Sequence, residues 1–170
     1  MDVEVRPVRP EEYRRAGDVV VAAYAALPGA HNSGGYATDL ADIDRRAKEA
    51  EVFVAVDGDD LVGCVTLVPD STSPWAELLA DDEAGIRMLA VDPVCQGRGV
   101  GQLLLNACIA RAAGLGRAGL SLHSTPWMNA AHRIYERNHF VRLPERDLLI
   151  DPEVPLIAFR LDLTGVQSAR

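Results

Sequence analysis

The segment DPVCQGRGVGQLLLNACI, residues 92–109, carries the strongest signal in the sequence. Glycines stand at positions 97, 99 and 101, the strand-like segment IRMLAV precedes them, and apolar residues at helical spacing follow. A glycine-rich loop that opens a helix can bind phosphate, because the first backbone N–H groups of the helix lack internal partners and glycine lets an anion approach closely. The alternative is that the glycines only make a tight turn between a strand and a helix.

Two common phosphate loops do not fit these residues. A P-loop requires Lys followed by Ser or Thr after its last glycine, whereas Gln102 and Leu103 follow Gly101. A dinucleotide-binding fold requires the spacing G-x-G-x-x-G and an acidic residue at the end of the next strand. The spacing here is G-x-G-x-G, and the next predicted strand ends in His123-Ser124. The sequence therefore argues against both kinds of site.

Periodicity along the chain predicts an irregular alternation of strands and helices. Strands are predicted at residues 3–8, 51–56, 61–68, 86–91, 118–124, 140–150 and 155–163. Helices are predicted at residues 11–27, 36–49 and 100–114, and after Thr125-Pro126, with Thr125 as N-cap. This order predicts an α+β fold around one mixed sheet. We expect a single domain over residues 1–165 and a short tail at 166–170.

Further local signals concern the surroundings of the glycine loop. Asp57-Gly58 is a strong hairpin turn signal between two of the predicted strands. Long connections at residues 28–35 and 69–85 are expected to shape a substrate pocket, because long loops in compact domains are often functional. The helix after the glycine loop is predicted to bury one apolar face, formed by Val100, Leu103, Leu104, Ala107, Cys108 and Ala112.

The composition indicates a soluble globular protein rather than a nucleic-acid binder. The 170 residues are 48% hydrophobic and 25% charged, and the net charge of −8 is opposite in sign to what phosphate contacts require. No apolar segment approaches the roughly 18 residues of a transmembrane helix, and no signal peptide is visible. We therefore expect a cytoplasmic protein without nucleic-acid or membrane partners.

Cysteine and histidine do not form a recognisable reactive or metal-binding pattern. The three cysteines lack CxxC spacing and are expected to be reduced thiols. Cys95 lies beside the glycine loop, but no Cys-His-acid pattern supports a role as nucleophile. The spacing of His123, His132 and His139 fits no known ligand set, so no metal is expected.

Two segments together resemble the GNAT superfamily of N-acetyltransferases. RMLAVDPVCQGRGVGQLLL, residues 87–105, is similar to its acyl-CoA-binding motif Q/R-x-x-G-x-G/A, with Gln96, Gly99 and Gly101 at the defined positions. MNAAHRIYERNHF, residues 128–140, resembles its second motif, a helix that carries an Ala, a Leu/Ile-Tyr pair and a closing Gly-Phe. Here the closing pair is His139-Phe140. The predicted order of strands and helices also resembles that of the superfamily from Val3 to about Leu163.

The resemblance implies a GNAT-like, mostly antiparallel central sheet with flanking helices, and acetyl-CoA as co-substrate. In this superfamily the strand before the loop splays from its neighbour and the pantetheine arm lies in the gap. The implied backbone contacts to that arm are Met88, Leu89, Ala90 and Val91. The implied contacts to the pyrophosphate are Gln96, Gly97, Arg98, Gly99, Val100 and Gly101. Asn129 is a further implied CoA contact, one place after the usual asparagine position.

The resemblance also implies catalytic roles for two residues. Tyr135 occupies the position of a tyrosine that protonates the departing thiolate, and a phenol is protonated at pH 7 without special tuning. Glu83 is the nearest candidate for the general base, since Gly85 stands close to where that carboxylate often falls. The alternatives are that Tyr135 only packs in the core and that Glu83 is one more solvated acid.

The function implied by this resemblance is transfer of an acetyl group to a primary amine. The acceptor is expected to be a small molecule or a peptide, and the sequence is compatible with a homodimer. The alternative is a regulatory or interaction protein that binds acyl-CoA through a degenerate site without transferring the acetyl group.

Overall fold

The computed structural model of the chain describes residues 1–27, 35–151 and 154–167. Its internal contacts define two compact units. The first comprises Met1–Leu67 with Met88–Ala107, and the second comprises Val68–Arg87 with Cys108–Arg170. The loop predicted at residues 28–35 lies, apart from Gly35, outside the described residues. A single domain over residues 1–165 stays a prediction.

Among the described residues, the first unit contains antiparallel strands and, before the glycine loop, three α-helices and a 3-10 helix. Its elements before the glycine loop are β1 (Val3–Pro7), a 3-10 helix (Pro10–Glu12), α1 (Tyr13–Ala25), α2 (Gly35–Ala41), α3 (Ile43–Glu49), β2 (Glu51–Asp57) and β3 (Asp60–Val68). The strands lie in the order β1-β2-β3-β4, where β4 (Glu83–Val91) contributes Met88–Val91 to this unit. The hairpin between β2 and β3 closes at the predicted turn, with Asp57 opposite Asp60.

The helix predicted at residues 36–49 is two helices, because the chain is capped anew at Asp42. The Asp42 carboxylate accepts a hydrogen bond of 3.1 Å from the backbone N–H of Arg45 and so satisfies one free donor of α3. The fully buried Arg46 of α3 donates to the carbonyl oxygens of Asp39 and Leu40 in the last turn of α2. These bonds join the two helices across the break.

The second unit contains the remaining elements. They are the N-terminal part of β4, the C-terminal part of α4 (Val100–Gly114), β5 (Gly119–Ser124), α5 (Asn129–Arg137), β6 (Val141–Arg142), a 3-10 helix (Pro144–Arg146), β7 (Leu148–Asp151), β8 (Val154–Asp162) and α6 (Thr164–Gln167). The strands lie in the order β4-β5-β8-β6, and β7 also pairs with β8. β4 and β5 are parallel, while β5, β6 and β7 pair antiparallel with β8.

This topology confirms the predicted α+β fold with a mixed, mostly antiparallel sheet and flanking helices. The predicted strand at residues 140–150 is instead divided into β6 and β7, because the segment Pro144–Arg146 forms a helical turn. The prediction of Thr125 as an N-cap is wrong, since α5 begins at Asn129 and its N-cap is Met128. Among the described residues, no helix is both long enough and apolar enough to cross a bilayer.

Helix α4 buries a slightly different face from the predicted one. Its buried apolar residues are Val100, Leu104, Leu105, Cys108 and Ala112, whereas Leu103 is 39% exposed. At its start the helix packs closely on β3, where a Cβ atom on Gly63 would lie 2.9 Å from Leu104 Cδ1 and 3.0 Å from Val100 Cγ1. Glycine at position 63 therefore allows this close packing.

Helix α5 ends in a left-handed residue that is not glycine. His139 has φ 67°, as the position of the family's usual glycine predicts. Its N–H donates to the Glu136 carbonyl at 3.1 Å, and the N–H of Phe140 donates to the Tyr135 carbonyl at 3.0 Å. The rings of Phe140 and Tyr135 pack with centroids 5.6 Å apart. These are the two bonds and the apolar contact of a Schellman motif.

We expect His139→Gly to stabilise the protein. A left-handed conformation costs an L-residue about 1–2 kcal/mol, of which the greater freedom of glycine in the unfolded chain offsets about 0.5–1 kcal/mol. The expected net gain in the free energy of unfolding is about 0.5–1 kcal/mol, measured by urea denaturation. His139→Ala is the matched control, since it removes the imidazole but keeps the Cβ atom. An equal gain in both variants would assign the effect to the imidazole rather than to the backbone.

Candidate active site

The strand that leads to the glycine loop contains a residue in an unusual conformation. The parallel ladder between β4 and β5 joins Glu83–Ile86 to Gly119–Leu122. Met88, two residues beyond the last pair on β4, has φ 55° and a buried side chain. Such a φ costs a non-glycine residue on the order of 1–3 kcal/mol, and it persists where the surrounding structure holds it in place. Extended backbone is thus interrupted at the first of the four residues predicted to bind pantetheine.

Hydrogen bonds fix the connection between β4 and the glycine loop. The N–H of Asp92 donates to the Val62 carbonyl at 2.9 Å. The Asp92 carboxylate accepts from the N–H of Val94 at 3.0 Å and caps a 3-10 turn over Pro93–Cys95. The side-chain amide of Gln96 donates to the Val91 carbonyl at 3.3 Å. The end of β4 and the first residue of the loop motif are therefore tied together.

The glycine loop is exposed, and two of its glycines have left-handed backbone conformations. Gly97 has φ 78° and Gly99 has φ 83°, so the backbone favours glycine at both. A Cβ atom at either position would meet nothing within 4 Å among the described residues. Packing against the rest of the protein therefore does not require these glycines. The turn requires them, and they also leave open space in front of the loop.

The start of α4 brings backbone donors to the end of this loop. The N–H of Leu103 donates to the Gly99 carbonyl at 3.2 Å, which closes the first helical turn. Helix geometry then leaves the N–H groups of Val100 and Gly101 without intrahelical acceptors. These donors, the positive end of the helix dipole and the exposed Arg98 suit a pyrophosphate. The arrangement fits the phosphate group that the sequence predicted for the loop.

Tyr135 lies in the second unit on the buried face of α5. It is 5% exposed, and its ring packs on Phe140 and on Phe159, with centroid distances of 5.6 Å and 5.7 Å. Burial raises the pKa of Tyr135 above its ordinary value, and Cys108 contributes in the same direction. The hydroxyl therefore stays protonated at neutral pH. Asn129 is exposed at the first residue of the same helix.

Glu83 occupies a buried ion cluster at the start of β4. Its side chain is 1% exposed and accepts hydrogen bonds from Arg146 at 2.6 Å, from Arg160 at 2.7 Å and from the N–H of Ala80 at 3.1 Å. Burial alone raises the pKa of Glu83, but the hydrogen bonds from the two arginines outweigh it and hold the pKa below the ordinary value. A carboxylate with both oxygens occupied and a lowered pKa is a weak base. The geometry favours a structural role over the predicted catalytic one.

Gly119 gives Arg160 its path to this carboxylate. Glu83 lies opposite Gly119 in the β4–β5 ladder, and Arg160 on β8 lies opposite Ser121 of β5. A Cβ atom on Gly119 would lie 2.7 Å from Arg160 Nε and still closer to the rest of the guanidinium group. The missing side chain therefore lets Arg160 cross β5. Sequence reasoning missed both arginines, which stand 63 and 77 residues after Glu83.

No group of His, Cys, Asp or Glu among the described residues is arranged to hold a metal ion. Burial raises the pKa of the Cys64 thiol to about 12, which leaves it unreactive. His123 hydrogen-bonds the Arg146 carbonyl at 2.8 Å, beside the Glu83 cluster.

A protein-family model matches most of the chain. Residues 18–140 match the model of the acetyltransferase (GNAT) family. The chain belongs to this family. The resemblance seen in the two motifs is thereby confirmed. A search of curated proteins finds no match.

Solved structures share the fold of this GNAT chain at low sequence identity. A protein of Desulfovibrio desulfuricans assigned to the GNAT family is 22% identical with a TM-score of 0.73, over 96% of this chain and 100% of that one. Salmonella typhimurium yncA, solved with its cofactor acetyl-CoA, is 17% identical with a TM-score of 0.69, over 95% and 94% of the two chains. The ribosomal-protein-S18-alanine N-acetyltransferase of Escherichia coli is 18% identical with a TM-score of 0.68, over 95% and 94%.

We expect Glu83→Gln to destabilise the protein, because it leaves two arginines facing a neutral amide. Each arginine side chain is about a quarter exposed, so water compensates part of its charge. The expected cost is that of unmade hydrogen bonds to a charged group, about 1–3 kcal/mol, to be measured by urea denaturation. The lowered folded pKa means that this contribution is complete above the unfolded value of 4.5 and is lost as the pH falls through the folded value. The wild type should therefore lose stability in acid more steeply than the variant. Glu145→Gln, on the exposed Glu145 of the adjacent 3-10 helix, is the control and should change neither quantity.

Proposed function

We propose that this GNAT protein is an N-acetyltransferase that moves the acetyl group of acetyl-CoA to a primary amine. The observation that carries the proposal is the exposed loop of left-handed glycines at the start of α4, with open space at Gly97 and Gly99 and the N-terminus of a helix directly after it. Acetyl-CoA supplies the activated thioester. The acceptor is a small molecule or the amino group of a peptide.

The binding residues follow from the family motif and the loop geometry. The backbone amides of Gln96, Gly97, Arg98, Gly99, Val100 and Gly101 hold the pyrophosphate. The backbone of Met88, Leu89, Ala90 and Val91 binds the pantetheine arm, and N–H groups around Leu89–Val91 polarise the thioester carbonyl. Asn129 is a weaker candidate contact, since its support is the motif position alone.

Tyr135 is the proposed general acid. Its hydroxyl remains protonated because burial disfavours the phenolate, so Tyr135 can give its proton from Oη to the departing thiolate. Glu83 is less suited to the role of base, because two arginines already occupy its oxygens. We therefore assign removal of the amine proton to a path that ends in solvent rather than at this carboxylate.

The activity is tested by supplying acetyl-CoA and a panel of primary amines and following release of the free CoA thiol. Amine-dependent release, with an acetylated amine detected by mass spectrometry, supports the proposal. Tight CoA binding with no turnover on any amine would favour the alternative of an acyl-CoA-binding regulatory protein. Peptides and small amines in separate panels identify the acceptor class.

We expect Gly99→Val to weaken CoA binding roughly a hundredfold or more. The valine side chain fills the space for the pyrophosphate, and the loss of two charge-assisted hydrogen bonds amounts to about 3 kcal/mol. Gly58→Val is the matched control, because Gly58 also has a left-handed φ of 63° and nothing within 4 Å of its Cβ position. Calorimetric titration with CoA compares the two. Equal affinity in both variants would contradict the phosphate role of the loop.

We expect Tyr135→Phe to lower kcat roughly ten- to a thousandfold, because it removes only the proton donor and keeps the ring. CoA affinity and the melting temperature should stay close to the wild-type values. Tyr13→Phe, the same change in α1 of the first unit, is the matched control. Full kcat in Tyr135→Phe, measured on the acceptor amine, would show that Tyr135 only packs.

A further inference from the structure

The end of strand β5 carries a histidine with one ring nitrogen engaged. His123 is half-buried, and its Nε2 lies 2.8 Å from the carbonyl oxygen of Arg146. A carbonyl oxygen can only accept a hydrogen bond, so Nε2 carries the proton of the neutral ring. Nδ1 then keeps its lone pair, and none of the described residues forms a hydrogen bond with it. The ring of His123 is therefore oriented through one nitrogen and basic at the other.

His123 lies at a place in the sheet where ligands often bind. The ladder between β4 and β5 ends at the pair of Ile86 and Leu122, so His123 and Ser124 extend beyond it. The two strands are parallel along this ladder, and open sheets bind ligands outside the carboxyl ends of their parallel strands. We therefore expect a substrate at the end of β5.

A buried hydroxyl at the same strand end also points to a ligand. Thr125 directly follows β5 and is 8% exposed, and its Oγ1 has no hydrogen-bond partner among the described residues. An unpaired buried hydroxyl costs about 1–3 kcal/mol, so such a group requires an explanation. A ligand bound at the end of β5 would supply the partner. This observation is independent of the His123 ring and leads to the same place.

His123 and Tyr135 lie on opposite faces of the sheet. Leu122 is opposite Phe159 in the antiparallel ladder between β5 and β8, and residues paired in this way share a face. Tyr135 packs on Phe159, with ring centroids 5.7 Å apart, so it belongs to that face. His123 is the next residue on β5 and faces the other side, where it meets the Arg146 carbonyl. A base and an acid that act on different atoms of one reacting group can be placed in this way.

We propose that His123 is the general base of the acetyl transfer and takes the proton of the acceptor amine at Nδ1. The inference rests on the proposed function and names the residue at which the path of the amine proton to solvent begins. Because the ring is half-buried, it can receive a proton from a bound substrate and release it to water.

The proton balance of the reaction closes with two side chains. His123 takes one proton from the ammonium group of the acceptor and releases it to solvent. The amine nitrogen then bonds to the carbonyl carbon of the thioester, the carbon–sulfur bond breaks, and the sulfur takes a proton from Tyr135 Oη. The nitrogen still carries one proton more than an amide, which His123 takes and returns through solvent to the Tyr135 phenolate. The products are the amide, the free thiol of CoA and one proton in solution.

The polar groups after the 3-10 helix suit a histidine that becomes cationic. Hydrogen bonds from Arg142 lower the pKa of Asp147 to about 2, and the Asp147 carboxylate interacts electrostatically with His123. Asp147 therefore stays ionised and stabilises the imidazolium that forms when the ring takes a proton. The Arg146 carbonyl contributes in the same direction, because it accepts from Nε2.

The charged groups of the neighbouring strands are held in ion pairs. On β8, Arg160 lies 2.7 Å from the Glu83 carboxylate. On β4, Arg87 follows the last pair of the ladder and lies 3.6 Å from the Glu77 carboxylate. These pairs compensate the arginine charges on the two strands beside His123.

His123→Gln tests the base role and keeps the contact with the turn. The glutamine amide can donate to the Arg146 carbonyl in place of Nε2, but it cannot take a proton. With saturating substrates and one amine, kcat should fall roughly a hundredfold or more, because a general base contributes about 10²–10⁴-fold. His139→Gln, on the exposed His139, is the matched control and should keep the wild-type kcat. CoA affinity and the melting temperature should stay close to the wild-type values in both variants.

Two further measurements would not respond to a merely structural role of His123. Wild-type kcat should decline toward acid pH with the midpoint of the His123 titration, measured by NMR in the presence of CoA and the amine. This dependence should be absent in His123→Gln. Added imidazole should restore part of the activity of His123→Ala and have no effect on Tyr135→Phe. An acid limb that does not follow the His123 titration would overturn the base role.

Different outcomes overturn this inference and the proposed function. Nitrogen NMR of the free protein tests the tautomer without a substrate: the neutral His123 ring should carry its proton at Nε2, and a proton at Nδ1 would contradict the base role. If the wild type acetylates an amine and His123→Gln has the same kcat, the base role alone is wrong. If the wild type yields no acetylated amine, the proposed function is wrong and the base role is wrong with it.

Discussion

The buried carboxylate of Glu83 is the interaction on which the second unit depends. One side chain joins three elements distant in sequence, since Glu83 begins β4, Arg146 ends a 3-10 helix and Arg160 lies on β8. Removing both arginines would leave the carboxylate of Glu83, which is 1% exposed, as an uncompensated charge in the interior, at a cost of several kcal/mol. Gly119 is part of the same arrangement, because any side chain at this position would obstruct Arg160. An acid so fully engaged is suited to holding these elements together, and this supports the proposal that the chemistry uses other residues.

The strained residue Met88 follows five positions later on β4 and is held from both sides. Upstream, the Glu83 cluster fixes the start of the strand. Downstream, the bond from Asp92 N–H to the Val62 carbonyl fixes its end. A methionine with a left-handed backbone conformation is strained. Residues in such conformations are found more often at binding and catalytic sites. The strain supports the proposal that the adjacent backbone binds ligand rather than merely continuing the sheet.

Elements that depend on neighbouring residues could be predicted from the sequence. Contacts between residues far apart in the chain could not. The hairpin at Asp57-Gly58, the extent of α4 and the glycine loop each depend on neighbouring residues, so the sequence alone indicated them. The partners of Glu83 lie 63 and 77 residues away, and an acid in the stretch DDE is solvated more often than buried. Thr-Pro often precedes a helix and therefore predicts a cap at Thr125. The chain instead makes a turn there before α5 begins.

The departure from the family motif at His139 shows how α5 keeps Tyr135 in place without the usual glycine. The left-handed His139 carries a steric cost, yet it allows the Phe140 N–H to reach the Tyr135 carbonyl. The same turn brings the Phe140 ring onto the Tyr135 ring, which buries apolar surface and offsets part of that cost. Tyr135 is therefore held by its backbone at the helix end and by Phe140 and Phe159 around its ring. The general acid role proposed for Tyr135 requires such a fixed position more than a tuned pKa, because a phenol is already protonated at neutral pH.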